Sequence, residues 1–117
     1  MTENKNTVRR YIEGFNATDH ARILSCLTDD VEWDIPGAFH VAGKDAFDRE
    51  IENEAFVGSP EITVTRLVEE NDVVVAEGTV RTQRKDGATL NLAFCDVFVM
   101  ENARIRRLTS YLAEVTA

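Results

Sequence analysis

Leu92-Ala93-Phe94-Cys95-Asp96-Val97-Phe98-Val99-Met100 is the stretch on which the reading of this sequence turns. It is rich in Val and Phe and free of Gly and Pro, which predicts a long β-strand. Alternate residues of a strand share a face, so Asp96 points the same way as Phe94 and Phe98. A carboxylate on an apolar face is costly unless it is paired, hydrogen-bonded or neutralised by a raised pKa. Asp96 therefore marks a pocket, or else a pair with an arginine such as Arg81 or Arg104, or a contact with a dimer partner.

Outward from this strand the period of two continues in both directions. Glu101-Asn102-Ala103 is a turn, and residues 104–115 close as a last strand. Upstream, Arg84-Lys85-Asp86-Gly87 is a hairpin turn, preceded by a strand over residues 73–83 with Gly78 as a candidate bulge. Another strand covers residues 62–68, and Glu70-Asn71-Asp72 turns between the two. The result is a four-strand antiparallel meander.

Before Gly58-Ser59-Pro60 the pattern is different. Asn6 or Thr7 can cap a helix running to about Asn16, with Val8, Tyr11, Ile12 and Phe15 as its buried stripe. After the turn Ala17-Thr18-Asp19, a second helix carries Ile23, Leu24 and Leu27 and ends near Thr28-Asp29-Asp30. Val31-Glu32-Trp33-Asp34-Ile35 alternates as a short strand, with Val31, Trp33 and Ile35 inward and Glu32 and Asp34 on the other face. Pro36-Gly37 ends it. Phe39-His40-Val41-Ala42 reads as a loop and residues 46–55 as a third helix with Phe47, Ile51 and Ala55 on its apolar side. Helices first and strands last indicate an α+β domain, with three helices packed on one face of a curved, mostly antiparallel sheet.

A chain of 117 residues builds one domain, 1–117, around one core. Its net charge of −8 argues against nucleic-acid and anionic-membrane partners, which call for basic surfaces. No apolar run approaches the ~20 residues of a membrane span, and the opening Met1-Thr2-Glu3-Asn4-Lys5-Asn6 has no signal-peptide core. The expected location is cytoplasmic, with Cys26 and Cys95 reduced. His20 and His40 are too few and too scattered for zinc, and phosphate-loop, GxSxG and HExxH motifs are absent. No metal or cofactor is expected.

Three segments, with the element order, resemble the ketosteroid-isomerase and SnoaL-like branch of the NTF2-like superfamily. They are Arg10-Tyr11-Ile12-Glu13; Asp29-Asp30-Val31-Glu32-Trp33-Asp34-Ile35-Pro36; and Cys95-Asp96-Val97-Phe98 with Ser110-Tyr111-Leu112-Ala113-Glu114-Val115. The resemblance covers nearly the whole chain and implies a cone-shaped α+β barrel. Ketosteroid isomerases shift a double bond with a tyrosine and a protonated aspartic acid as oxyanion hole and a second aspartate as base. The resemblance puts the tyrosine on Tyr11 and the oxyanion-hole acid on Asp96. The base position falls on Ile35, which cannot take a proton. Relatives of this fold also carry out polyketide cyclisation, dehydration and epoxide hydrolysis; the Asp-Arg-Asp set of limonene-type epoxide hydrolases finds no match here.

Each candidate has a structural alternative. Tyr11 is a pocket hydroxyl or an ordinary core tyrosine. Trp33 is a core plug or an apolar wall. His40, placed at a pocket mouth beside Phe39, titrates near neutrality and is the obvious replacement proton carrier, unless it is a plain surface histidine. Asp34 is the acidic neighbour of the lost base, turned outward unless a bulge near Pro36 rotates it. Phe15, Ile35, Phe39, Phe47, Phe56, Phe94, Phe98 and Leu112 are pocket wall, packed core, or both. The sequence thus predicts a SnoaL-like catalyst of acid–base chemistry on a small apolar carbonyl-type metabolite, of isomerase, cyclase or dehydratase type. The alternative is a non-catalytic ligand-binding or dimerisation module. A homodimer is expected, with Val97 and Val99 on the outer face of the sheet.

Overall fold

Thr2 opens the first element: its hydroxyl accepts a hydrogen bond from the Lys5 amide at 3.1 Å and caps α1, Glu3–Ala17. The computed structural model describes residues 2–52 and 54–115. The helix starts a turn earlier than its apolar stripe indicates, because polar Asn4 is buried too. The Asn4 amide donates to Glu69 at 2.9 Å and Asp72 at 3.1 Å, pinning the helix start to the chain turn at residues 69–72. Thr18, in the left-handed region, ends α1, and Asp19 caps α2, His20–Ser25, by accepting from the Arg22 amide. Gly14 lets the two helices meet: a Cβ there would stand 2.9 Å from Ile23 Cγ1.

The second helix is shorter than expected, and strand β1, Leu27–Ile35, begins where the helix was expected to continue. Leu27 is drawn into parallel pairing with Ile105, and Thr28, Asp29 and Asp30 form an irregular step before pairing resumes at Glu32 opposite Arg107. Long-range pairing overrides local propensity here. The expected loop at Phe39-His40-Val41-Ala42 is a strand, β2, Phe39–Ala42, folded back on β1 so that Ile35 faces Phe39, Asp34 faces His40 and Trp33 faces Val41. Pro36 and Gly37 are the tip of that hairpin, with Gly37 at φ 84°.

Helix α3, Lys44–Ile51, starts before the expected residue 46 and ends before 55; Asn53, within the expected span, lies outside the described residues. Strand β3, Phe56–Glu70, runs through Gly58-Ser59-Pro60 instead of starting after it. Proline is tolerated because β3 is an edge strand and its register slips between Val57 and Glu61. The meander follows as β4, Val73–Arg84, β5, Thr89–Glu101, and β6, Arg104–Glu114, as the alternation predicts. The β3–β4 and β5–β6 turns use Asn71-Asp72 and Asn102-Ala103, all at positive φ, as a tight hairpin requires. The bulge expected at Gly78 lies across from it, where Val64 and Arg66 face Gly78 and Glu77 and Thr65 is the extra residue.

The six strands form one sheet in the order β2-β1-β6-β5-β4-β3, antiparallel except for β1 with β6. The sheet curves but does not close, so the expected barrel is an open cone with β2 and β3 as its edges. Asn16 covers part of the β3 edge by a reciprocal pair, donating to the Ile62 carbonyl at 3.1 Å and accepting from the Ile62 amide at 2.6 Å. The core lies between the helices and the concave face, around Val8, Ile23, Leu27, Phe47, Phe98, Ile105 and Leu108. No helix among the described residues is long and apolar enough to cross a membrane.

Candidate active site

Asp96 lies in the middle of β5, between Ala76 on β4 and Ser110 on β6 in cross-strand register. Phe94 and Phe98 flank it on the same face. It sits on the concave face below the helices, and a cavity of about 340 Å³ opens above it. That volume is near the small end of the ~300–1,000 Å³ usual for small-molecule sites. Tyr11 and Phe15 from α1, Trp33 and Ile35 from β1 and Phe39 from β2 form one wall. Phe56 and Ile62 from β3, Val80 from β4, Leu92 and Phe94 from β5 and Leu112 from β6 form the other. Glu50, Ile51 and Glu52, at the end of α3, border it on the solvent side.

Trp33 is both alternatives at once. Its ring stacks on Phe47 at 4.5 Å and 23°, and it also faces the cavity, edge-on to Phe39 at 5.2 Å and to Phe15 at 5.9 Å. Its Nε1–H donates to Ser110 Oγ at 3.1 Å. With its oxygen so engaged, the Ser110 hydroxyl has its own proton free for Asp96, the hydrogen-bonded partner that holds the carboxyl down. Burial works in the opposite direction and dominates, raising Asp96 from 3.8 to about 7. Neither Arg81 nor Arg104 reaches it; both are exposed, so the arginine-pair alternative does not hold.

Tyr11 is 3% exposed and packs edge-on against Phe15, Phe47 and Phe98. Burial, and secondly the nearby Asp96 charge, push its hydroxyl well above the ordinary tyrosine value, so it remains a proton-bearing donor. The two groups face one cavity, but the hydrogen-bond partner of the Asp96 carboxyl is Ser110, not Tyr11.

Two expected proton carriers are elsewhere. His40 and Asp34 stand opposite each other in the β1–β2 hairpin, on the side away from Trp33, Ile35 and Phe39. His40 Nε2 is 3.4 Å from Glu32 and Nδ1 is 4.0 Å from Asp34, a cluster on the outer face in which His40 is exposed and the two carboxylates are half-buried. Strand alternation is the cause: once residues 39–42 pair with β1, a cavity-facing Phe39 turns His40 outward. Phe47 and Phe98 are fully buried beneath the cavity, under Trp33 and Tyr11, and support its wall without lining it.

Ser110 escaped the sequence reading, although its register with Asp96 links it to the one acidic residue on the strand face. His20 also has partners that spacing did not suggest. Its Nδ1 lies 2.6 Å from Asp48 and its Nε2 2.6 Å from Glu52, tying α2 to α3 beside the cavity. Hydrogen bonds to Asp48 and then Glu52 raise its pKa. Cys95 points to the opposite face from Asp96, and burial raises its thiol. Among the described residues no group of three or more His, Cys, Asp or Glu side chains is placed to hold a metal ion.

The family model for the SnoaL-like domain matches residues 8–108 of this chain. Among solved structures, an NTF2-like protein of unknown function from Burkholderia pseudomallei is 25% identical with a TM-score of 0.86, covering 97% of this chain and 92% of that one. A Mycobacterium tuberculosis epoxide hydrolase of the LEH-like type is 17% identical with a TM-score of 0.84, over 95% of this chain and 83% of that one. A protein described as a ketosteroid isomerase from Kribbella flavida is 19% identical with a TM-score of 0.76, over 98% of this chain and 81% of that one. The last two likenesses carry the fold alone. No curated protein matches at a significant level.

Proposed function

The chain belongs to the SnoaL-like domain family of the NTF2-like superfamily, and within that family we propose that its cavity performs acid–base chemistry on a small, apolar carbonyl compound. The carrying observation is a carboxyl group at about 7 on the floor of an otherwise largely apolar cavity. A group poised near neutrality can give and take a proton with little bias, which is what a general acid–base catalyst needs. Ile35 lines the cavity and can do neither.

Asp96 and Tyr11 then divide the work. The Asp96 carboxylate removes a proton from the carbon next to the substrate carbonyl. The C–H electron pair becomes the carbon–carbon double bond of an enolate, and the Tyr11 hydroxyl donates a hydrogen bond to its oxygen. The Asp96 carboxylic acid returns the proton to the same carbon or to one conjugated with it, so a double bond moves and no other reactant is consumed. The Ser110 hydroxyl, itself oriented by Trp33, steadies the carboxylate between the two transfers.

The test is exchange of α-hydrogens of 4-phenyl-2-butanone in deuterated buffer, followed by proton NMR. Exchange faster than buffer, rising with an apparent pKa near 7 and lost in Asp96→Asn, is the expected result; a rate unaffected by Asp96→Asn refutes the assignment. A second reading, a ligand-binding module without catalysis, is favoured by Ile35 at the position where ketosteroid isomerases hold their base. Saturable binding of the ketone with no exchange above buffer selects it.

We further propose that the outer sheet face pairs with a second copy. Val75, Val97 and Thr109 lie in one cross-strand row with the exposed Val68 beyond Val75, and Cys95 and the exposed Tyr111 form the next. Glu77 stands in that second row, ion-paired with Arg66 at 3.4 Å, so the apolar patch has a charged edge, and an exposed apolar patch rimmed by polar groups marks an interaction surface. Light scattering at micromolar concentration is expected to give the mass of a dimer, and a monomer mass rejects the pairing.

A further inference from the structure

We infer that the cavity admits uncharged or cationic ligands and rejects carboxylates, with Glu50 and Glu52 at its opening imposing that choice. The inference rests on the reading of the cavity as a small-carbonyl site and deepens it by giving the charge of the substrate.

Three carboxyl groups border the cavity, Asp96 on its floor and Glu50 and Glu52 at its solvent side, and its described lining contains no Lys or Arg. Glu50 is half-buried and has no ion pair among the described residues. Glu52 shares His20 with Asp48. Even with His20 protonated, one imidazolium faces two carboxylates, so this cluster keeps a negative excess to which Glu50 adds. Arg84, in register with Phe56, is exposed and contributes nothing to the lining. The field at the opening is therefore negative, on a protein whose overall charge has the same sign.

A ligand carboxylate entering here leaves water, meets no cation, and approaches Glu50 and Glu52 across a gap with low-dielectric walls. A neutral ligand meets none of these costs. A cationic tail gains from the same two carboxylates and from the rings of Trp33, Phe39 and Phe15, which stand edge to face at the cavity wall. The reactive end differs: Asp96, Tyr11 and Ser110 suit a neutral oxygen atom. The fitting substrate is therefore a compact carbonyl compound whose far end is neutral or basic.

Trp33 is the only tryptophan in the chain and lines the cavity, so its emission reports occupancy. Three phenyl ketones that differ only in a para-carboxylate, para-carboxamide or para-aminomethyl group are titrated against the intact protein. The carboxylate is expected to bind on the order of tenfold more weakly than the carboxamide, the effect of one nearby like charge in a partly shielded site. The aminomethyl ketone is expected to bind at least as well as the carboxamide. In Glu50→Gln, and in rising salt, the carboxylate-to-carboxamide ratio is expected to narrow several-fold.

Equal binding of carboxylate and carboxamide by the wild type overturns the charge selection. A ratio unchanged in both Glu50→Gln and high salt overturns its assignment to the opening. If none of the three ketones alters Trp33 emission at millimolar concentration, the small-carbonyl reading itself falls, a result distinct from the other two.

Discussion

Replacing Asp96 with asparagine is expected to stabilise the protein at neutral and alkaline pH while removing the acid–base chemistry proposed for it. In the folded chain the carboxyl stands at about 7 against an ordinary value of 3.8, with burial as the cause. The gap is worth about 4 kcal/mol at ~1.4 kcal/mol per pH unit. Because the folded value lies above the unfolded one, the unfolded chain gives up this proton first as pH rises. The contribution is complete below about pH 4 and is lost progressively up to about pH 7. Above that, the folded state carries a desolvated charge held only by Ser110.

Asparagine is nearly the same size and carries no charge, so Asp96→Asn removes the pH-dependent loss. It also exchanges a carboxyl for an amide beside Ser110, an offset of about 1 kcal/mol that does not vary with pH. The difference in unfolding free energy between variant and wild type should therefore change by about 4 kcal/mol in the variant's favour from about pH 4 to about pH 8. Urea unfolding of both proteins at matched pH values measures it, and other titrating groups cancel in the difference. A difference that stays flat across this range refutes the perturbed carboxyl and with it the chemistry derived from it. Catalytic acids are commonly kept at such a cost to stability.

Ser110→Ala removes the donor that holds Asp96 down and the acceptor of the Trp33 indole. The Asp96 titration should move to higher pH, read by the pH profile of ketone exchange, with a stability loss of about 1–3 kcal/mol from the stranded indole N–H. Gly78→Ala puts a Cβ 1.9 Å from the Thr63 carbonyl oxygen and 2.9 Å from Phe94, where the curve of the sheet brings backbone against backbone. A loss of about 2 kcal/mol or more in chemical denaturation is expected, and wild-type stability would contradict the close approach. For His20, whose pKa is raised first by Asp48 and then by Glu52, stability from the clamp is full below the ordinary histidine value. It is lost as pH rises through the raised value, so His20→Ala should abolish that part of the wild-type fall in melting temperature.

The meander was legible because its strands are amphipathic and its turns carry Asn, Asp and Gly where positive φ is needed. Those signals are local. The edges of the cone were not legible for the converse reason. Nothing in Phe39-His40-Val41-Ala42 marks a strand except the availability of β1 beside it, and Leu27 joins the sheet through Ile105, far along the chain. Both elements are made by their partners. Likewise Gly58-Ser59-Pro60 ends a strand by propensity, and only its place at an open edge lets β3 run through it.

The same distinction separates the parts of the site. Asp96 was visible because its anomaly, a charge between two phenylalanines, lies within one strand. Ser110 was hidden by a single extra residue. In the β5–β6 hairpin Met100 faces Ile105, but the register slips before Val99, which faces Arg107. Counting back from the turn without that slip sets Thr109 opposite Asp96, and Thr109 belongs to the outer face. One inserted residue exchanges the two faces of a strand. The bulge thus brings the Ser110 hydroxyl to the carboxyl and turns Thr109 toward Val97 on the far side. The extra residue is Arg106, on β6 between Ile105 and Arg107. Deleting Arg106 is expected to give even pairing in which Ser110 still meets Asp96, so the Asp96 titration, read from the pH dependence of urea unfolding, stays where it is. A titration shifted upward in that variant would mean that the slip persists without Arg106 and carries Ser110 away from the carboxyl, and would refute this account of how Ser110 is placed.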